Sequence, residues 1–138
     1  EVFDVVRARG GGADHFFAIK SGRDSSIPAL GLKAGSYAPG NTVRGLPAHT
    51  STTLLIDDLT GRPFAVVEAN YLNGMRTAAA DALAVRALAR EDSEVLGLIG
   101  CGEQAAFEAA AIHHVRPMKR ILAASRSAAT RSSFAARV

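Results

Sequence analysis

Tryptophan is absent from this 138-residue chain, cysteine occurs once, and aromatic residues make up only 6% of it. The lone Cys101 can form no internal disulfide, which fits a reducing, cytoplasmic setting. Lysine is scarce too: of 16 basic residues only Lys20, Lys33 and Lys119 are lysines. The arginines are interleaved with acids and form no basic run, so no nucleic-acid partner is expected despite the net charge of +3. No apolar run approaches the roughly 20 residues of a membrane span, so no membrane partner is expected either. Nor do the four histidines, at 15, 49, 113 and 114, suggest a metal site. Neighbouring residues in a helix point about 100° apart rather than converging on one ion. Nothing resembles a signal peptide, and the first residue is Glu1 rather than Met, so the natural N-terminus is expected upstream.

What is present has clear periodicity. The segments HFFAIK (15–20) and LGLKAGSY (30–37) read as extended, with turn signals at GGG (10–12) and SGRDSS (21–26). APGNTVRGLPAHT (38–50) reads as a loop. TTLLID (52–57) and FAVVEA (64–69) are strands joined through DLTGRP, a hairpin or short connection. From Asn73, a plausible N-cap, NGMRTAAADALAVRALARED has the alanines and leucines of a long helix. EVLGLIG (94–100) then reads as a buried strand, EQAAFEAAAIHHV (103–115) as a helix, RILAAS (120–125) as a strand and SAATRSSFAARV (127–138) as a helix beginning. Strands alternating with helices after residue 93 predict a parallel sheet with helical crossovers.

The stretch LIGCGEQA (98–105) matches G-x-G-x-x-G/A, with Ala105 in the third place. Gly100 permits the tight turn, Gly102 lets a pyrophosphate approach the backbone, and a small residue at 105 allows close packing of helix on strand. The helix starting at Glu103 and Gln104 would turn its free amides toward the phosphates. An apolar strand before, a helix after and a second strand about 20 residues on are the context such a motif requires. The other reading is a structural turn with no ligand. At the end of the second strand, Ser125 and Arg126, followed by Ser127, stand where an NAD-preferring site carries an acid. A neutral serine and a guanidinium suit a 2′-phosphate, so NADP(H) is preferred, with NAD(H) as the alternative. Arg126 is otherwise a solvated or helix-capping residue. Cys101 lies inside the turn as a small side chain and is given no catalytic role.

GLKAGSYAPGN (31–41), GLPAHTSTTLLIDDLTGRPFAVVEANYLNGMRTAAADALAVRALAR (45–90) and LGLIGCGEQAAFEAAAIHHVRP (96–117) together resemble the ornithine cyclodeaminase/mu-crystallin family. The likeness covers 31–138, and 1–30 only loosely. It implies an α/β protein in two parts: a partial substrate-binding and dimerisation domain, β-rich with a long helix, over 1–92, then the first β-α-β-α of a Rossmann domain over 93–138. It implies a homodimer acting on a small amino or imino acid by nicotinamide-dependent hydride transfer at the α-carbon, with L-ornithine to L-proline plus ammonia the first specific reaction. A reductase or dehydrogenase of the same family is the alternative, and a non-catalytic small-ligand binder is a further one.

By position, the resemblance places Lys33 at the substrate carboxylate or in proton transfer, and Arg76 on the α-carboxylate. Thr77 falls beside cofactor phosphate or substrate, and Lys20 in a further substrate contact. An additional family arginine falls on Arg7 or Arg9. Read from the residues alone, Arg76 is equally a surface ion-pair partner and Lys33 an exposed strand lysine. His49 is a general base or a loop residue packed near the site. Of Asp57 and Asp58, whose side chains face opposite ways on a strand, one binds turn amides and the other is solvated. The family's catalytic aspartate would fall beyond the second Rossmann strand, outside this sequence. On that reading the chain is a fragment, truncated at both ends and inactive in isolation.

Overall fold

A computed structural model describes residues 5–10 and 14–138. Most of the GGG turn expected at 10–12 therefore lies outside the described residues. The chain divides into two compact units, one reaching to Asn70 and the other running from Tyr71 to Val138.

The first unit is an antiparallel sheet whose strands lie in sequence order: β1 (Val6–Arg9), β2 (Phe16–Asp24), β3 (Ala29–Tyr37), β4 (His49–Asp57) and β5 (Pro63–Glu68). Alternation sorts its residues by face. Ile19, Leu30, Leu32, Leu54, Ile56 and Val66 share one face, while Arg7, Lys20, Lys33, Ser51 and Thr53 share the other. The tight connections are held by aspartates. Asp24 Oδ1 accepts from the Ser26 hydroxyl and amide, and Asp57 Oδ1 from the Thr60 hydroxyl and amide, both at 2.7 Å in the latter case.

Several expectations are corrected here. β1 was not foreseen, because a four-residue strand shows too little alternation to register. SGRDSS does not break the chain at Ser21: β2 continues through Asp24, since cross-strand pairing with Ala29–Leu32 overrides the turn preference of its glycine and serine. Within 38–50, Pro39–Arg44 form a 3-10 turn closed by Gly45 at φ 69°, and His49 and Thr50 already belong to β4.

In the second unit α1 (Asn70–Leu88) precedes β6 (Val95–Ile99), α2 (Glu103–Val115), β7 (Arg120–Ala124) and α3 (Ala128–Ala135). The helix was expected to start at Asn73 but begins three residues earlier, which makes Asn73 an internal residue. Packing accounts for the early start: Tyr71 meets Phe107 of α2 edge to face, centroids 5.2 Å apart. The buried positions of α1, Gly74, Ala78 and Ala82, recur every fourth residue and form a smooth stripe. At Gly74 the approach is closest, for a Cβ there would lie 2.7 Å from the Phe107 ring. These contacts place α1 with residues 71–138, whereas the sequence reading drew its division after 92. Arg116 closes the helix, its guanidinium donating to the carbonyls of Arg86, Ala89 and Arg90.

β6 and β7 pair in parallel, Leu98 opposite Ala123 and Ile99 opposite Ala124. The small core beneath them consists of Cys101, Ala105, Ala109 and Phe134, with Leu98, Ile121 and Ala123 packed against it.

Candidate functional site

The strand-to-helix turn after β6 is built as the motif requires. The Gly100 amide donates to the Ala124 carbonyl at 2.7 Å, so pairing with β7 extends into the turn. Gly100 has φ 105°, a conformation that side chains disfavour. Gly102 caps α2 in an extended conformation, and a Cβ added to it would meet nothing within 4 Å. The approach to the α2 N-terminus is therefore open, and the early amides of a helix are donors without intrahelical partners. Gly100, Cys101, Gly102, Ser125, Arg126 and Thr130 line one cleft of about 710 Å³ at the C-terminal ends of the two strands. The turn glycines and the open space above them fit the pyrophosphate of a dinucleotide.

Other residues singled out in the sequence point elsewhere. The Cys101 side chain is 2% exposed and directed into the core, its Sγ 3.7 Å from the Ala124 carbonyl. Glu103 lines a separate, mainly apolar groove of about 820 Å³ beside Tyr71, Phe107 and Arg137. Gln104 ties the start of α2 to α1, its amide donating to the Gly74 carbonyl at 3.1 Å and to Glu108 Oε1 at 2.6 Å. Burial pushes the Glu108 carboxyl above its ordinary value. The Gln104 hydrogen bond opposes that shift, and neighbouring Asp81 of α1 adds to it. Ser127 caps α3, its hydroxyl accepting from the Thr130 amide. Thr77 donates to the Asn73 carbonyl at 2.8 Å, one turn back, and exposed Arg76 donates to Asn73 Oδ1 at 2.8 Å.

Two residues that build this region were not anticipated. Thr130 lines the cleft from the first turn of α3, and Arg131, outside the lining, donates to the Ser125 carbonyl and fixes the loop after β7. Helical spacing from the Ser127 cap was the signal that could have found Thr130, since a first-turn side chain lies near the strand end that precedes it.

In the first unit, Lys33 is half-buried on β3 and directly opposite exposed Lys20 on β2. His49 faces the same side. A Cβ on Gly35 would stand 3.6 Å from Lys33 Cε and 3.8 Å from His49 Nε2, so the two side chains border one gap. His49 is thus a strand residue beside Lys33 rather than a loop residue. Arg7 and Arg9 share this face from β1. Asp57 binds turn groups as expected, and hydrogen bonds from the Thr60 hydroxyl and then its amide hold its carboxyl below the ordinary value. Asp58, expected to be solvated, instead pairs with Arg23, whose Nε donates at 2.8 Å. The sheet brings the end of β2 and the turn after β4 together, which a spacing of 35 residues in sequence could not reveal. Among the described residues no cluster of histidine, cysteine and carboxylates is placed to hold a metal, and no helix is long and apolar enough to cross a membrane.

A β-α-β unit with this glycine turn, accompanied by an antiparallel sheet with a cationic face, defines an α/β protein of the Rossmann-type, nucleotide-binding class. The particular family follows from comparison: a model of the ornithine cyclodeaminase/mu-crystallin family matches residues 17–138, and the chain belongs to that family. Iminosuccinate reductase of Paracoccus denitrificans is 42% identical over 120 residues, 87% of this chain and 38% of that protein. L-lysine cyclodeaminase of Streptomyces rapamycinicus is 39% identical over 132 residues, 95% of this chain and 38% of that protein. The solved Δ1-pyrroline-2-carboxylate reductase of Thermococcus litoralis, in complex with NADH and L-proline, matches with a TM-score of 0.93 at 32% identity, over 99% of this chain and 42% of that one. The chain spans about two fifths of the length of these relatives.

Proposed function

We propose that the protein carrying this chain is an enzyme that moves hydride between a nicotinamide dinucleotide and the α-carbon of an amino or imino acid. The observation that carries this reading is the single cleft joining Gly100, Gly102, Ser125 and Arg126 at the ends of two parallel strands. Gly100 and Gly102 give the pyrophosphate room at the α2 N-terminus. Ser125 brings no negative charge, and Arg126 offers a guanidinium for a 2′-phosphate, which favours NADP(H). NAD(H) is the competing cofactor, since the Thermococcus relative holds NADH.

A bound nicotinamide supplies or accepts the hydride. The side chains of the protein bind and orient the substrate. Arg76 holds an α-carboxylate through a charged fork, with Thr77 beside it. Lys33 contacts a carboxylate or moves a proton at its Nζ, and Lys20 adds a second ammonium beside it. In this reading residues 1–92 serve substrate binding and dimerisation, and 93–138 form the first half of the nucleotide-binding domain. The protein is a cytoplasmic homodimer.

Two finer reactions fit. Cyclodeamination of L-ornithine to L-proline is the first, in keeping with the family and its lysine cyclodeaminase. Reduction of an imino acid is the second, and two reductases among the relatives favour it. The test is turnover of the protein at its natural length with ornithine and with imino acids. Ammonia release without net cofactor consumption marks the first reaction, and stoichiometric loss of NADPH or NADH absorbance marks the second. If neither cofactor binds saturably by fluorescence, hydride transfer is excluded.

A further inference from the structure

The register of the sheet sets two lysines side by side. Lys20 stands directly opposite Lys33, and Lys33 directly opposite Thr53. Directly opposed residues have Cβ atoms about 4.5–5.5 Å apart, and like charges so placed destabilise a sheet. The next pair on this face is Gly22 opposite Gly31, with Leu55 beyond it. Neither glycine contributes a side chain, so the face sinks into a trough beside the two ammonium groups. Lys20, Gly22, Gly31, Lys33, Thr53 and Leu55 line one cavity of about 620 Å³. The depression is fixed by packing, for a Cβ on Gly31 would meet the Leu54 carbonyl at 2.9 Å.

The charge at the lysine end of the trough is one-sided. Arg7 lies opposite Ala18, diagonal to Lys20, and Arg9 follows two residues on, so β1 adds two more cations to the face. The acids of β2 and β4 on this face are Asp24 and Asp57, at the turn end of the sheet, where Asp24 and Arg23 also line the trough opposite the lysines. Both carboxylates already accept two hydrogen bonds within their own turns. One substrate carboxylate needs one such clamp. Two adjacent ammonium groups over an open trough match a ligand with two negative charges.

We propose that the substrate of this face is a short dicarboxylic amino or imino acid, and that Lys20 is the residue that selects its second carboxylate. The inference rests on the reading that the protein acts on an amino or imino acid, and it names the class. A side chain ending in an ammonium group meets the same cations and is repelled, while a neutral one leaves Lys20 unused.

The experiment is calorimetric titration of the natural-length protein, saturated with NADH at fixed ionic strength, with L-aspartate, L-alanine and L-ornithine. Aspartate is expected to bind about tenfold tighter than the other two, the factor supplied by one charged hydrogen bond. Lys20→Gln should reduce that advantage to about threefold or less, and Lys20→Arg should keep it. Alanine or ornithine binding as tightly as aspartate overturns the proposal, as does a Lys20→Gln variant that weakens all three ligands alike. Saturable NADH binding with no uptake of any of the three overturns the wider amino-acid reading, and this one with it.

Discussion

In the proposed reading Arg126, which lines the cleft beside a neutral Ser125, is the side chain on which cofactor choice turns. Arg126→Ala is expected to weaken NADPH about tenfold or more while leaving NADH within about threefold, as read by fluorescence titration of both. Glu108 makes a prediction of another kind. Its carboxyl is raised above the ordinary value by burial, its Oε2 is buried without a hydrogen-bond partner, and Asp81 stands nearby. A group whose folded value is raised favours the fold while protonated. That contribution is complete below the unfolded value and lost as pH rises through the folded one. The melting temperature should therefore fall as pH climbs from about the glutamate range of 4.3 toward neutrality. Glu108→Gln should flatten this fall and melt higher than the parent at pH 7; an unchanged pH profile would refute the assignment. Neither the Glu108–Asp81 encounter nor the Arg23–Asp58 pair was legible in the sequence. Each joins residues that only the folded chain brings near, while the meeting of Gly100, Gly102 and Arg126 in one cleft was legible because local spacing along a β-α-β unit fixes it.

At the scale of elements, the strands and helices with strong periodicity fell close to where their patterns put them: β3, β5 through β7, α2 and α3, with β4 starting three residues early at His49. The failures lie at edges. β1 is too short to show alternation, β2 runs through a serine-glycine signal that pairing overrides, and α1 gains a turn from the contact between Tyr71 and Phe107. The packing of α1 on α2 depends on one absent methyl. Gly74→Ala puts a Cβ 2.7 Å from the Phe107 ring, so ring or helix must shift. We expect a loss of roughly 1–3 kcal/mol in denaturant unfolding, from overpacking that outweighs the better helix propensity of alanine. Gly74→Ala combined with Phe107→Leu should recover part of that loss, because the leucine removes the ring atoms that clash.

For the whole molecule, the sheet divides its surface into a cationic face and an apolar one, where Val6 and Val66 are 60% and 71% exposed. The apolar face suits self-association, and the protein is expected to sediment at twice its monomer mass. Val66→Lys should shift it toward monomer, with retention of NAD(P)H fluorescence showing that the nucleotide cleft survives. The second unit holds its own reporter. Its thiol is the single one in the sequence, sealed at 2% exposure between the glycine turn and Phe134. A disulfide reagent added to the native protein should react only when that packing opens, so the labelling rate becomes a clock for local unfolding. Dinucleotide bound over Gly102 should slow the clock in proportion to its occupancy, and labelling that ignores the nucleotide would mean that the turn opens without regard to its ligand.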